Sequence, residues 1–125
     1  MTDPGHPRRR NSVLEALVRL RRRRPGVSLT EAMIFLYVAE NPGLNVAELS
    51  RLIGMTLATA SRAARGLASD DPQAPALLQI QGSPVDLRGR RHFLSRAGTE
   101  LAEELETVIG RADPIASPLR RLTHA

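Results

Sequence analysis

Thr56, Thr59, Ser61, Arg62 and Arg65 stand within ten residues of one another in an Ala- and Leu-rich run, TLATASRAARGLAS (residues 56–69). Two guanidinium groups and three hydroxyls in so short a space suit recognition of a polyanion that also offers hydrogen-bond acceptors. Arginine meets phosphate, or the paired acceptors of guanine, with a rigid fork, and a hydroxyl reaches phosphates or base edges. Leu57, Ala60, Ala64 and Leu67 are spaced three, four and three apart, which predicts one apolar helix face. Thr59, Arg62 and Arg65 form another stripe, with Ser61 beside it. A helix with a small-residue inner face and a Thr/Ser/Arg outer face can lie in a DNA major groove.

Such a helix needs a support. Residues 45–53 predict a short helix, with Asn45 and Glu48 at capping-box spacing and Val46, Leu49, Leu52 and Ile53 on a buried stripe. Ile53-Gly54-Met55 reads as a tight turn, and the Thr56 hydroxyl can cap the helix that follows. Helix, turn, helix in this order is the DNA-binding helix-turn-helix pattern. The blander reading is two amphipathic helices joined by glycine, as in many helical domains.

The composition narrows the choice. The 125 residues predict one domain with a real core. The formal charge is +5, all 18 basic residues are arginine, and there is no cysteine. Disulfides, thiol sensing and thiolate metal sites are therefore excluded. Apolar runs are too short to span a membrane, and no apolar segment follows the basic N-terminus to make a signal peptide, so a cytoplasmic location is expected. Phe35, Tyr37 and Phe93 are the only aromatics, too few for a base-stacking single-strand binder. His6, His92 and His124 lack ligand spacing, and no phosphate loop or nucleophile elbow is present, so neither a metal, a cofactor nor an enzymatic activity is expected. Charge is uneven: residues 1–24 hold eight Arg against Asp3 and Glu15, and residues 56–96 hold six against Asp70, Asp71 and Asp86.

Residues 1–10 predict a flexible basic arm, able to track phosphates or to remain a solvated tail. Asn11 or Ser12 caps a helix to about Arg23, with Val13, Leu14, Leu17, Val18 and Leu20 on an apolar side wide enough to pack on another subunit. Arg21, Arg22, Arg23 and Arg24 crowd its C-terminal end, where they suit the helix dipole. Ser28 and Glu31 open a nearly all-apolar core helix that runs to about Glu40. After a Pro/Asp-containing loop, residues 77–81 and 91–95 predict two strands. Their hairpin tip carries Asp86, Arg88, Arg90 and Arg91, the makings of a basic wing beside a recognition helix. Ser95 caps a last long helix with Leu101, Leu105, Val108 and Ile109 on its seam. Glu100, Glu103, Glu104 and Glu106 fill its other faces as a solvated acidic surface.

In this order the elements resemble the MarR family of bacterial winged-helix regulators. The resemblance rests on NPGLNVAEL (residues 41–49), GMTLATASR (54–62), DLRGR (86–90) and LSRAG (94–98), with Leu29-Thr30 at the start of the core helix. It covers roughly residues 27–110. It implies a homodimer that places two recognition helices in successive major grooves, with Thr56, Thr59, Ser61 and Arg62 on DNA and Asp86 positioning Arg88 in the wing. The link from recognition helix to wing departs from the family pattern by its Pro/Asp insertion. The N-terminal helix and the C-terminal extension, which in the family make the dimer and frame an effector pocket, are shorter than the family pattern, so a small-molecule effector is left unassigned.

The expected fold is mainly α with a small two-stranded β-wing, a winged helix-turn-helix. Residues 1–10 form the arm, 11–110 the domain with its terminal dimerisation helices, and 111–125 a C-terminal extension. The expected function is sequence-specific binding of double-stranded DNA in transcriptional regulation, by a recognition helix at about 56–69 and a wing at about 82–91. The DNA-binding set is Thr56, Thr59, Ser61, Arg62, Arg65, Arg88, Arg90 and Arg91. The rival is a winged-helix protein-interaction or assembly module without operator recognition.

Overall fold

The computed structural model of the chain describes residues 5–82, 85 and 89–111, with side chains over 12–82, 85 and 89–110. Five helices and one hairpin follow in the order α1 (Gly5–Arg23), α2 (Leu29–Glu40), α3 (Val46–Ile53), α4 (Leu57–Leu67), β1 (Leu78–Gln81), β2 (Arg91–Leu94) and α5 (Arg96–Arg111).

Local chemistry explains most of the boundaries. Ser28 Oγ accepts from Glu31 N while Glu31 Oε1 accepts from Ser28 N, which closes a capping box on α2. Asn45 and Glu48 do the same for α3. These reciprocal bonds satisfy N–H groups that have no partner within the helix. Gly54 ends α3 at φ 69°, a left-handed conformation that glycine adopts without steric cost.

The first helix differs from expectation. It begins at Gly5, so residues 5–10, expected as a flexible arm, belong to α1. Proline is tolerated in a first helical turn, where its missing N–H is not needed, and Pro7 lies in that turn. The arginines that follow are good helix formers. Ser12, expected as a cap, is buried at 3% exposure in mid-helix. Residues 1–4 and 112–125, the latter covering most of the expected C-terminal extension, lie outside the described residues, as do Asp86 and Arg88 of the expected wing tip.

The core is built from Ile34, Phe35 and Val38 of α2, Leu49 of α3, Ala60, Ala64 and Leu67 of α4, Leu77 and Leu78, and Leu101 and Leu105 of α5. α2 is the central element: α3, α4, α5 and β2 all pack on it. α1 lies along α5, held by Arg19 to Glu104 at 2.8 Å and Arg23 to Glu104 at 3.1 Å. Glu104, expected on a solvated acidic face, is thus a bridge between the terminal helices. Arg19 before all else holds its carboxyl below the usual carboxylate range. The expected apolar seams are also incomplete: Val13, Leu14 and Leu17 of α1, Leu52 of α3 and Ile109 of α5 are exposed.

β1 and β2 pair antiparallel in the register Leu78 to Leu94, Gln79 to Phe93, Ile80 to His92 and Gln81 to Arg91. A single bridge from Leu44 to His92 joins this hairpin to the segment before α3. Ser95 knots the start of α5 to the start of the hairpin. Its Oγ donates to Ala76 O and accepts from Gly98 N, while its N–H donates to Leu77 O. A Cβ on Gly98 would lie 2.0 Å from Leu77 O, so only glycine permits this approach.

Candidate nucleic-acid interface

α4 is seated by three neighbours. Its inner residues Ala60, Ala64 and Leu67 are completely buried, and the two alanines let the α4 backbone come close to the elements beneath. The turn before it is clamped by Ser50, whose Oγ donates to Met55 O and whose carbonyl accepts from Met55 N at 3.1 Å. Thr56 caps the helix as expected, its Oγ1 accepting from Thr59 N at 3.2 Å and donating to Thr59 Oγ1 at 3.0 Å.

The far end of α4 is held by Arg24, a residue expected only to suit the α1 dipole. Its Nη1 donates to Ser69 O at 3.0 Å and Ala74 O at 2.9 Å, and its Nη2 donates to Gly66 O. One planar cation therefore satisfies carbonyls at the C-terminus of α4, where the helix dipole is negative, and in the loop beyond. That loop, the Pro/Asp insertion, is itself closed. Asp71 and Ala74 exchange backbone bonds, Asp71 Oδ1 accepts from Gln73 N, and Asp70 Oδ1 accepts from Ala76 N. Leu77 N then returns to Leu67 O at 2.8 Å. Sequence periodicity carries no signal for Arg24, because its partners are backbone atoms more than forty residues away.

The outward face of α4 carries Ala58, Ser61, Arg62 and Arg65. Arg62 and Arg65 are exposed and Ser61 is half-buried. Neither guanidinium has a hydrogen-bond or ion-pair partner among the described residues, and α4 contains no acidic residue. Glu31 of α2 borders the same concavity as Arg62. Leu57, expected on the inner face, is 55% exposed. It shares the angular position of Ala64, but it stands one turn beyond the edge of the core, where none of the described residues covers it. It joins Ala58, Ser61, Arg62 and Arg65 around a concavity of about 540 Å³ whose other wall is Asn45, Val46 and Ala47 at the start of α3.

The remaining expected contacts divide. Thr56 is exposed at the leading end of α4. Thr59 is half-buried and lies to the side, beside Ser28, Thr30 and Glu31 at the start of α2. Arg91 belongs to the stem of the hairpin rather than its tip, because its Nη1 donates to Gly43 O at 2.8 Å. Arg90 is half-buried next to that stem. Arg88 lies outside the described residues.

His92, set aside in the sequence as a scattered histidine, is 3% exposed. Its Nδ1 lies 2.8 Å from Leu44 O, which also accepts from His92 N at 2.9 Å. The ring thus pins the root of the hairpin to the segment leading into α3. Burial pushes its pKa below the ordinary histidine value; the Leu44 carbonyl opposes this and Arg90 reinforces it. Among the described residues, no group of three or more His, Asp or Glu could hold a metal ion, and no helix is long and apolar enough to cross a membrane.

A helical core to which α2, α3, α4 and α5 all contribute, exposed arginines on α4 without a partner among the described residues, and a following two-stranded hairpin make up the framework of a winged-helix DNA-binding regulator of transcription. The MarR family model matches residues 26–88, half of the chain, and the chain belongs to that family. Solved structures agree in fold. RV1404 from Mycobacterium tuberculosis is 13% identical, with a TM-score of 0.61 over 92% of this chain and 71% of that one. The S. aureus MepR–DNA complex is 15% identical, with a TM-score of 0.61 over 92% and 86%. The transcriptional regulator Tm0710 from Thermotoga maritima is 21% identical, with a TM-score of 0.59 over 82% and 70%. No curated protein matches the chain.

Proposed function

We propose that the chain acts as a cytoplasmic, non-enzymatic homodimer that occupies a pseudo-palindromic operator. Each α4 enters a major groove and each hairpin reaches the flanking minor groove or backbone. The observation that carries this reading is the pair of exposed guanidiniums of Arg62 and Arg65 on α4, neither with a hydrogen-bond or ion-pair partner among the described residues, although Glu31 of α2 borders the same concavity as Arg62. Thr56, Ser61 and Arg62 contact bases or phosphates, and Arg65 contacts phosphate. Thr59 supports the cap and touches DNA only at its edge. Arg88 and Arg90 serve the wing, and Arg91 fixes its stem against Gly43.

The dimer is supported by apolar surface left uncovered on a single chain. Val13, Leu14 and Leu17 of α1 are about half exposed, and Leu29 at the start of α2 is 74% exposed. Burying such side chains releases roughly 25 cal/mol per Å² of apolar surface. The likeness in fold to MepR, whose structure is a complex with DNA, supports DNA as the partner.

Selection of bound sequences from random duplex DNA with the purified protein tests the proposal. A two-fold symmetric motif is the expected result. Enrichment no greater than non-specific binding would favour a protein-interaction module instead.

A further inference from the structure

We infer that Leu57 is a specificity determinant that packs on the methyl group of a thymine in each operator half-site; this deepens the operator reading above and rests on it. Leu57 is 55% exposed at the leading end of α4, where no core packing accounts for a large apolar side chain. It begins the slanted i, i+4, i+8 row with Ser61 and Arg65, which turns about 40° at each step, from the edge of the inner face at Leu57 to the outer face at Arg65. Together they border the concavity between α4 and the start of α3. The row spans about 12 Å along the helix axis, the length of three to four base-pair steps of about 3.4 Å.

In the major groove only thymine presents an apolar group, its C5 methyl, whereas guanine presents paired acceptors and phosphates present charge. The chemistry of the row is matched to these in turn: an alkyl group, a hydroxyl and a guanidinium. A phosphate contact would leave Leu57 desolvating an anion, and a guanine or cytosine edge would leave a donor or acceptor unpaired against it. A thymine methyl is the one groove feature that gains from meeting a leucine. The exposed guanidiniums of Arg62 and Arg65 beside it draw the duplex to this face.

The test replaces thymine by uracil, which removes the methyl group and leaves every hydrogen-bonding group in place. The selected operator is synthesised with uracil at each thymine singly, then at the symmetric position in both half-sites. Wild-type affinity is expected to fall about fourfold for one such thymine, corresponding to about 0.8 kcal/mol for one apolar carbon returned to water. The doubly substituted site should lose about fifteenfold. Leu57→Ala is expected to bind the thymine and uracil operators alike, with an unchanged unfolding transition since the side chain is exposed.

A symmetric motif whose affinity is indifferent to uracil at every thymine overturns this inference while leaving operator recognition standing. So does a Leu57→Ala protein that retains the full uracil sensitivity. If no symmetric motif is selected, operator recognition itself fails and the assignment of Leu57 falls with it.

Discussion

The Arg24 guanidinium donates a 2.9 Å hydrogen bond to the carbonyl of Ala74, while its other nitrogen bonds Gly66 at the end of α4. The residue that follows α1 therefore holds both the C-terminus of α4 and the Pro/Asp-containing loop beyond it. Arg24→Ala is expected to cost about 2 kcal/mol in urea unfolding, less than several charged hydrogen bonds would sum to because the group is only part-buried. Arg24→Lys should recover less than half of this, since an ammonium cannot fork to several carbonyls at once.

The face of α4 itself gives a second prediction. Arg62→Ala and Arg88→Ala are each expected to weaken operator binding by about 1–3 kcal/mol with no change in unfolding. Arg65→Ala should act on phosphate, weakening all sequences alike and lowering the slope of log affinity against log salt by about one. Unchanged affinity in both the Arg62 and the Arg88 variant at moderate salt would place the DNA face elsewhere.

Two glycines in α5 should respond in opposite directions. Gly98→Ala forces a Cβ to within 2.0 Å of Leu77 O, at the joint where Ser95 fastens α5 to the hairpin. A loss of about 3 kcal/mol is expected. Gly110 has nothing within 4 Å of the position of a Cβ. Gly110→Ala should therefore stabilise slightly, by at most about 0.5 kcal/mol near a helix end. Urea titration of the two variants beside the wild type measures both.

Acid should loosen the root of the wing. Burial lowers the pKa of His92 in the folded state, so as pH falls below about 6.5 the unfolded chain takes up a proton that the native ring resists. Stability is therefore expected to decline from about pH 6.5 downward and to be flat above it. Glu104, lowered by Arg19, contributes stability that is lost only as pH falls through and below the ordinary carboxylate range, so above pH 5 the slope belongs to His92. Urea melts of wild type and His92→Gln between pH 7.5 and 5 check this; a slope retained in the variant would assign it to another group.

Much of the frame was legible in the chain because its signals are local. Capping boxes at Ser28 and Asn45, the glycine turn at Gly54 and the Thr56 cap each depend on residues within three or four positions, and each forms as spaced. Ala60, Ala64 and Leu67 fall on the buried face as periodicity requires. The same periodicity misplaced Leu57, because a repeat of 3.6 residues gives the angle of a side chain but not whether the core extends far enough to cover it. It also could not place Thr59, which lies between the outer face and α2.

By itself, then, the sequence determined the elements, their order, the family resemblance and the basic outer face of α4, all of which follow from spacing along the chain. Only the tertiary structure decided that Arg24 closes the end of α4, that Arg91 braces the hairpin stem, that Glu104 joins α5 to α1 and that His92 is a buried pin. In each case the partner lies more than forty residues away. Contacts of that range exist only once the core has brought α1, α2, α4 and the hairpin together, so no local pattern of residue types can announce them.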